Sequence, residues 1–141
     1  MNFLVDHNIS HHIAHALAAM AAPGGHLVVA KREKFDTTVR VRDVEWLGLL
    51  GQEGGWAFIS DDHRIYKNPQ ERTAMISARV IGFFLRSAWR KPNVSEFERA
   101  ARLILWWPRL INQCEIVSPP AAFGVPIRPT SRLESIPLPR R

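Results

Sequence analysis

Five residues without a charge, Trp56-Ala57-Phe58-Ile59-Ser60, run directly into a pair of carboxylates, Asp61-Asp62. So short an apolar run hides its backbone polar groups best as a strand inside a sheet covered on both faces. Phe3-Leu4-Val5, ending in Asp6, repeats the pattern. His26-Leu27-Val28-Val29-Ala30 and Val80-Ile81-Gly82-Phe83-Phe84-Leu85 read as two further strands.

Helical segments lie between these runs. Ser10 can cap a helix from His11 to about Ala22, with Ile13, Ala14, Leu17, Ala18 and Ala21 on one face and Pro23-Gly24-Gly25 as its stop. A basic loop from Lys31 to Arg42 leads to a second helix, opened by Asp43 and closed near Gly54-Gly55. Asn68-Pro69-Gln70-Glu71 and Ser95-Glu96-Phe97-Glu98 each have the form of a capping box. The first opens a helix to about Ala78; the second opens a long one, bent or ended at Pro108. Glu115-Ile116-Val117 reads as a short edge strand.

Strands alternating with helices imply parallel pairing through right-handed crossovers. The fold class expected is α/β, a three-layer α/β/α sandwich on a mostly parallel sheet. Prolines at 119, 120, 126, 129, 137 and 139 are expected to leave the end irregular. The division expected is therefore a domain over residues 1–117 and a Pro/Arg-rich tail over 118–141.

With 141 residues there is room for one core, and a 46% apolar content is too high for a disordered chain. No apolar run nears the roughly 20 residues that cross a bilayer, and Met1-Asn2-Phe3-Leu4-Val5 lacks the basic start of a signal peptide. One cysteine, Cys114, allows no internal disulfide, which fits a reducing, cytoplasmic setting. It reads as a small buried hydrophobe. The net charge of +6 suits a polyanionic partner or plain solubility. Half of the excess sits beyond residue 118, where Arg128, Arg132, Arg140 and Arg141 face only Glu134.

In open α/β sheets, ligands bind beyond the carboxyl ends of the strands. Asp6, Asp61 and Asp62 stand at such ends, and Asp43, after a loop, can face the same edge. Singly, Asp43 suits a helix cap, and Asp61 and Asp62 suit a turn. A charge placed directly after a buried run, as Asp6 is, needs a partner. Carboxylates gathered together repel unless a cation joins them, and hard oxygen donors suit Mg²⁺ or Mn²⁺. Such an ion serves phosphodiester hydrolysis.

These residues resemble a known family. Phe3-Leu4-Val5-Asp6-His7-Asn8-Ile9, Asp43-Val44-Glu45-Trp46-Leu47 and Phe58-Ile59-Ser60-Asp61-Asp62-His63-Arg64-Ile65 are similar to three motifs of PIN-like nuclease domains. Residues 64–69 and Phe83-Phe84-Leu85 resemble a VapC-like branch, the toxins of toxin–antitoxin pairs. The likeness spans residues 2–117. It implies a Mg²⁺- or Mn²⁺-dependent endoribonuclease with Asp6, Asp43 and Asp62 as catalytic, metal-holding residues and Asn8 in support. It also implies an RNA substrate, a cognate antitoxin and a homodimer. Many such sequences carry an acidic residue where Arg64 stands, and Asp61 or Glu45 could replace it.

Arg64 and Lys67 are expected to grip phosphates, with Lys31, Arg32, Lys34, Arg40 and Arg42 as a basic rim. Trp46 and Trp56 read as core. Trp106 and Trp107 point in different directions, which leaves one for a partner surface. Two rival readings stand beside the nuclease. One is a non-catalytic PIN-like module that binds RNA or protein. The other is a zinc protein built on His7, His11 and His15, spaced four apart.

Overall fold

The computed structural model describes residues 1–35 and 41–139. Among them β1 (Asn2–Val5), β2 (Leu27–Ala30), β3 (Trp56–Ser60), β4 (Ile81–Leu85), β5 (Ala121–Val125) and β6 (Glu134–Ile136) form one sheet, in the order β2-β1-β3-β4-β5-β6. Neighbours pair in parallel, except β6, which runs antiparallel to β5. The helices are α1 (His11–Ala21), α2 (Lys31–Lys34), α3 (Asp43–Glu53), α4 (Arg64–Lys67), α5 (Pro69–Ala78) and α6 (Glu96–Ile116).

Successive strand side chains point to opposite faces, so each strand divides its apolar residues between two cores. Phe3, Val5, Ala57, Ile59, Ile81, Phe83 and Leu85 pack with α1 and α6, through Ile13, Leu17, Leu103, Trp106 and Leu110. Leu4, Phe58 and Phe84 pack with α3, α4 and α5, through Trp46, Leu47, Ile65 and Met75. The result is the three-layer α/β/α sandwich that the alternating pattern predicts.

The region beyond residue 118 departs from expectation. It is no tail without regular structure: β5 completes the parallel sheet beside β4, with Phe123 opposite Phe83, and β6 covers its outer edge. Prolines 119, 120 and 126 bracket β5, and Pro137 follows β6, so none interrupts a ladder. Residues Glu115 and Ile116, read as an edge strand, instead close α6, which runs on through Pro108. Trp106 and Trp107 are both buried, because α6 lies with a broad apolar stripe against α1 and the sheet. Trp107 meets Phe3 with ring centroids 4.9 Å apart. Neither tryptophan is free for a partner surface.

Smaller corrections concern helix starts. Ser10 and Ser95 cap α1 and α6 as expected, accepting from the His12 and Glu98 amides. Arg42, not Asp43, holds the cap position of α3, and Asn68 makes no side-chain cap bond at α5. The stretch read as a basic loop begins with the single helical turn α2. Cys114 is half-buried against the core, and burial pushes its thiol up to about 12. Among the described residues no helix is long and apolar enough to cross a membrane.

Phe123 separates a structural segment from a dispensable one. Phe123→Ala is expected to cost about 3–5 kcal/mol, the usual price for emptying a buried aromatic position. Urea denaturation of the two proteins measures it; a detached tail would give no change.

Candidate functional site

Strand register builds the site. Val5 pairs with Ala30 on one side and with Ile59 on the other. The next residues in line, Lys31, Asp6 and Ser60, therefore stand abreast at the carboxyl edge. The chain passes from β1 to β2 on one side and then crosses back to β3 on the other, so this edge is the topological switch point of the sheet.

Asp6 is almost wholly buried and its two oxygens are crowded with donors. Oδ1 faces the Lys31 ammonium at 2.8 Å and the backbone amide of His7 at 2.8 Å, with His7 Nδ1 at 3.0 Å. Oδ2 takes the Ser60 hydroxyl at 2.6 Å. Burial by itself would raise the carboxyl's pKa. The hydrogen bond to His7, the Lys31 charge and the Ser60 hydroxyl outweigh it and hold Asp6 ionised well below the usual carboxylate range.

Ser60 also joins Asp6 to Asp62, since its Oγ accepts from the Asp62 amide at 2.9 Å. Asp62 lies in the forked grip of Arg64, with Nε on Oδ1 and Nη2 on Oδ2, both at 2.9 Å, and the Arg64 amide adds a third bond at 3.0 Å. These bonds, led by the Arg64 side chain, lower the Asp62 pKa. Asp43, in the first turn of α3, accepts the Trp46 indole N–H at 2.8 Å. The Trp46 ring lies 5.2 Å from the Lys31 ammonium, which brings Asp43 toward the same edge without joining it to Asp6 and Asp62 in one cluster of described residues.

Asp61 falls on the other face of the sheet. It lines a cleft of about 300 Å³ with Asn8, Ser10, Trp89, Arg90 and Arg99, and burial raises its pKa. Arg90 Nε lies 3.4 Å from its Oδ1, an ion-pair approach without hydrogen-bond geometry. Asn8 is turned to this backbone, its Oδ1 accepting the Asp61 amide at 3.2 Å. Glu45 is exposed and faces Arg42 at 3.6 Å.

The basic rim is only partly as expected. Arg32, Arg42, Arg64 and Lys67 are exposed. Lys34 is engaged with Glu53 at 2.9 Å. Arg40 lies outside the described residues. Lys31 is not a rim residue: it is buried, its ammonium on Asp6 and 5.2 Å from the centre of the Trp46 ring. A buried carboxylate needs a cation, and the register delivers this one.

These carboxylates as folded do not fit a divalent ion. Both oxygens of Asp6 already accept donors, the Asp62 carboxylate is spanned by a guanidinium, and Asp43 holds an indole. Among the described residues no three His, Cys, Asp or Glu side chains stand close enough together to hold a metal. The histidines are engaged too: His7 with Asp6, His11 with Arg32 at 3.1 Å, and His15 with Glu33.

Ser60 escapes sequence reasoning as a functional residue, and Lys31 is expected in the basic rim rather than as the partner of Asp6. Ser60, the link between Asp6 and Asp62, was visible only as a hydroxyl closing an apolar strand. Lys31 was hidden in a basic stretch, although a lysine directly after an apolar run carries the same signal as Asp6 after its own.

A family model described as a PIN like domain matches residues 1–87, which hold β1 to β4 and every residue of this edge. No curated protein and no solved structure matches the chain.

The hydrogen bond to Asp6 raises the pKa of His7, with burial opposing it and the Asp6 charge adding to it. Stability from this contact is fully present below the unfolded histidine value of about 6.5 and is lost as pH rises through the higher folded value. An NMR titration of the His7 ring is expected to show protonation above that of a free histidine, and Asp6→Asn to return it toward the free value. A ring titrating alike in both proteins would contradict the contact.

Proposed function

The chain belongs to the PIN-like domain family, and from that premise we propose that it is an endoribonuclease whose reaction takes place at the carboxyl edge of β1 and β3. The observation that carries the reading is the Ser60 hydroxyl, which ties the buried Asp6 to Asp62 at the switch point of the sheet. Asp62, the more exposed of the two ionised carboxylates, is suited to orienting a water against phosphorus and accepting its proton, while the buried Asp6 fixes its place through Ser60. His7 lies at the mouth, with two thirds of its side chain exposed and its pKa raised. Protonated, it can donate to a phosphate oxygen or to the departing oxygen. Arg64 and Lys67, exposed beside the edge, steady the RNA backbone without reading sequence. A Mg²⁺ or Mn²⁺ cofactor, as the family resemblance implies, has to compete at this edge with the protein's own cations.

A second reading has an observation in its favour. Lys31 and Arg64 neutralise Asp6 and Asp62, as suits a non-catalytic PIN-like module that binds RNA or a protein. Cleavage of single-stranded RNA by the purified protein separates the two. For the nuclease, Asp62→Asn and Asp6→Asn are each expected to lower the rate about 100-fold or more, with circular dichroism showing both variants folded. Wild-type protein that binds RNA without cutting it, and variants of unchanged affinity, would establish the binding module instead.

The resemblance of residues 64–69 and 83–85 to the VapC-like branch extends the proposal to the toxin of a toxin–antitoxin pair. Induced expression is then expected to arrest bacterial growth, and Asp62→Asn to abolish the arrest.

A further inference from the structure

We infer that Lys31 is the resident cation of the acidic edge, so that the site is assembled without a divalent ion and such an ion enters only by displacing the Lys31 ammonium. The inference deepens the nuclease reading and rests on it for its bearing on the reaction. Its physical case rests on Asp6 alone.

A carboxylate offers about four lone-pair positions. On Asp6 the His7 amide, His7 Nδ1 and the Lys31 ammonium converge on Oδ1, and the Ser60 hydroxyl takes Oδ2. Three of the four groups crowd Oδ1, where a metal would have to displace one of them, and Oδ2, on a residue only 1% exposed, keeps a single lone pair beside the Ser60 hydroxyl. The ammonium is also no wandering surface group. Lys31 follows β2 directly and opens α2, so strand pairing and a helical turn fix its backbone on both sides. Only 11% of its side chain is exposed. The Trp46 ring lies 5.2 Å from Nζ, within the range of a cation–π contact. That indole donates to Asp43 at 2.8 Å, so a second carboxylate serves the lysine through the ring.

A metal ion would have to remove the ammonium from Oδ1 and leave it beside an indole with no carboxylate. Burying a charge without a partner costs several kilocalories. The competition therefore favours lysine until its charge is deleted.

The test uses the full chain without RNA, so that cleavage and cation choice succeed or fail separately. Mn²⁺ is the probe, with binding read by electron paramagnetic resonance and stability by thermal melting. Wild type is expected to bind Mn²⁺ weakly and to melt at one temperature with or without it. Lys31→Met keeps the length of the side chain and removes the charge. It is expected to melt about 10 °C lower without metal, to regain stability with Mn²⁺, and to bind the ion at least about tenfold more tightly. Asp6→Asn in that background should abolish the gain, which locates the ion on Asp6. Lys31→Arg, which keeps a positive charge, should gain no Mn²⁺ affinity. Stoichiometric, stabilising Mn²⁺ binding by wild type overturns the inference, as does Lys31→Met with wild-type melting and affinity. If Lys31→Met does not fold even with Mn²⁺, wild type and Lys31→Arg decide: weak binding by both upholds the inference, and tight binding by either overturns it.

Discussion

A carboxylate inside a protein must be neutralised, and the arrangement of this fold around Asp6 follows from that need. Its partners come from three places in the chain: His7 beside it, Lys31 after β2, and Ser60 at the end of β3. The last two reach it only in one register. A slip of β2 by one residue would turn Lys31 to the other face and leave Asp6 with a buried charge and no cation. The apolar alternation of β1, β2 and β3 sets the same register independently. Core packing and the ion pair therefore specify one structure together, and an error in either exposes the other.

The same alternation divides the functional edge. Asp6 and Ser60 belong to the face covered by α3, where Trp46 lies beside Lys31 and holds Asp43. Asp61 belongs to the face covered by α1 and α6, in the cleft with Arg90 and Trp89. Adjacent aspartates, Asp61 and Asp62, thus have opposite environments. Burial raises the pKa of the first, and the Arg64 fork lowers that of the second. Asp61 serves the other side of the sheet from Asp6 and Asp62.

Much of this fold was legible in the sequence, and the failures have physical causes. Strands β1 to β4 and the starts of α1, α5 and α6 follow from apolar runs, Ser10, Pro69 and Ser95, which are local signals. Strand β5 is hidden from sequence reasoning because prolines flank it on both sides, although they exclude regular structure only at their own positions. Adjacent residues on a helix point in different directions, which separates Trp106 from Trp107 in the sequence, but α6 buries a stripe wide enough for both. For the site, Asp6, Asp43 and Asp62 were legible as strand-end and helix-start acids. Lys31 was not, because its partner lies 25 residues away and pairing is a property of the sheet.

The charge balance that results bears on how a polyanion could reach this edge. Three carboxylates, Asp6, Asp43 and Asp62, would alone repel a phosphate. Lys31 and Arg64 cancel two of them, and a protonated His7 cancels the third. At that balance the charges of these six described groups cancel, and Arg32, Arg42 and Lys67 are exposed cations besides. A metal would give the same neutrality from solution, at the concentration the cell allows. Lysine gives it from the chain, at a fixed distance and a fixed charge of one. That difference sets the chemistry: an ammonium can balance a carboxylate and donate hydrogen bonds, but it cannot lower the pKa of a bound water as a divalent ion does. In the folded arrangement, then, Asp6 and Lys31 form a buried, balanced floor, with Asp62 closer to the surface and His7 largely exposed above it.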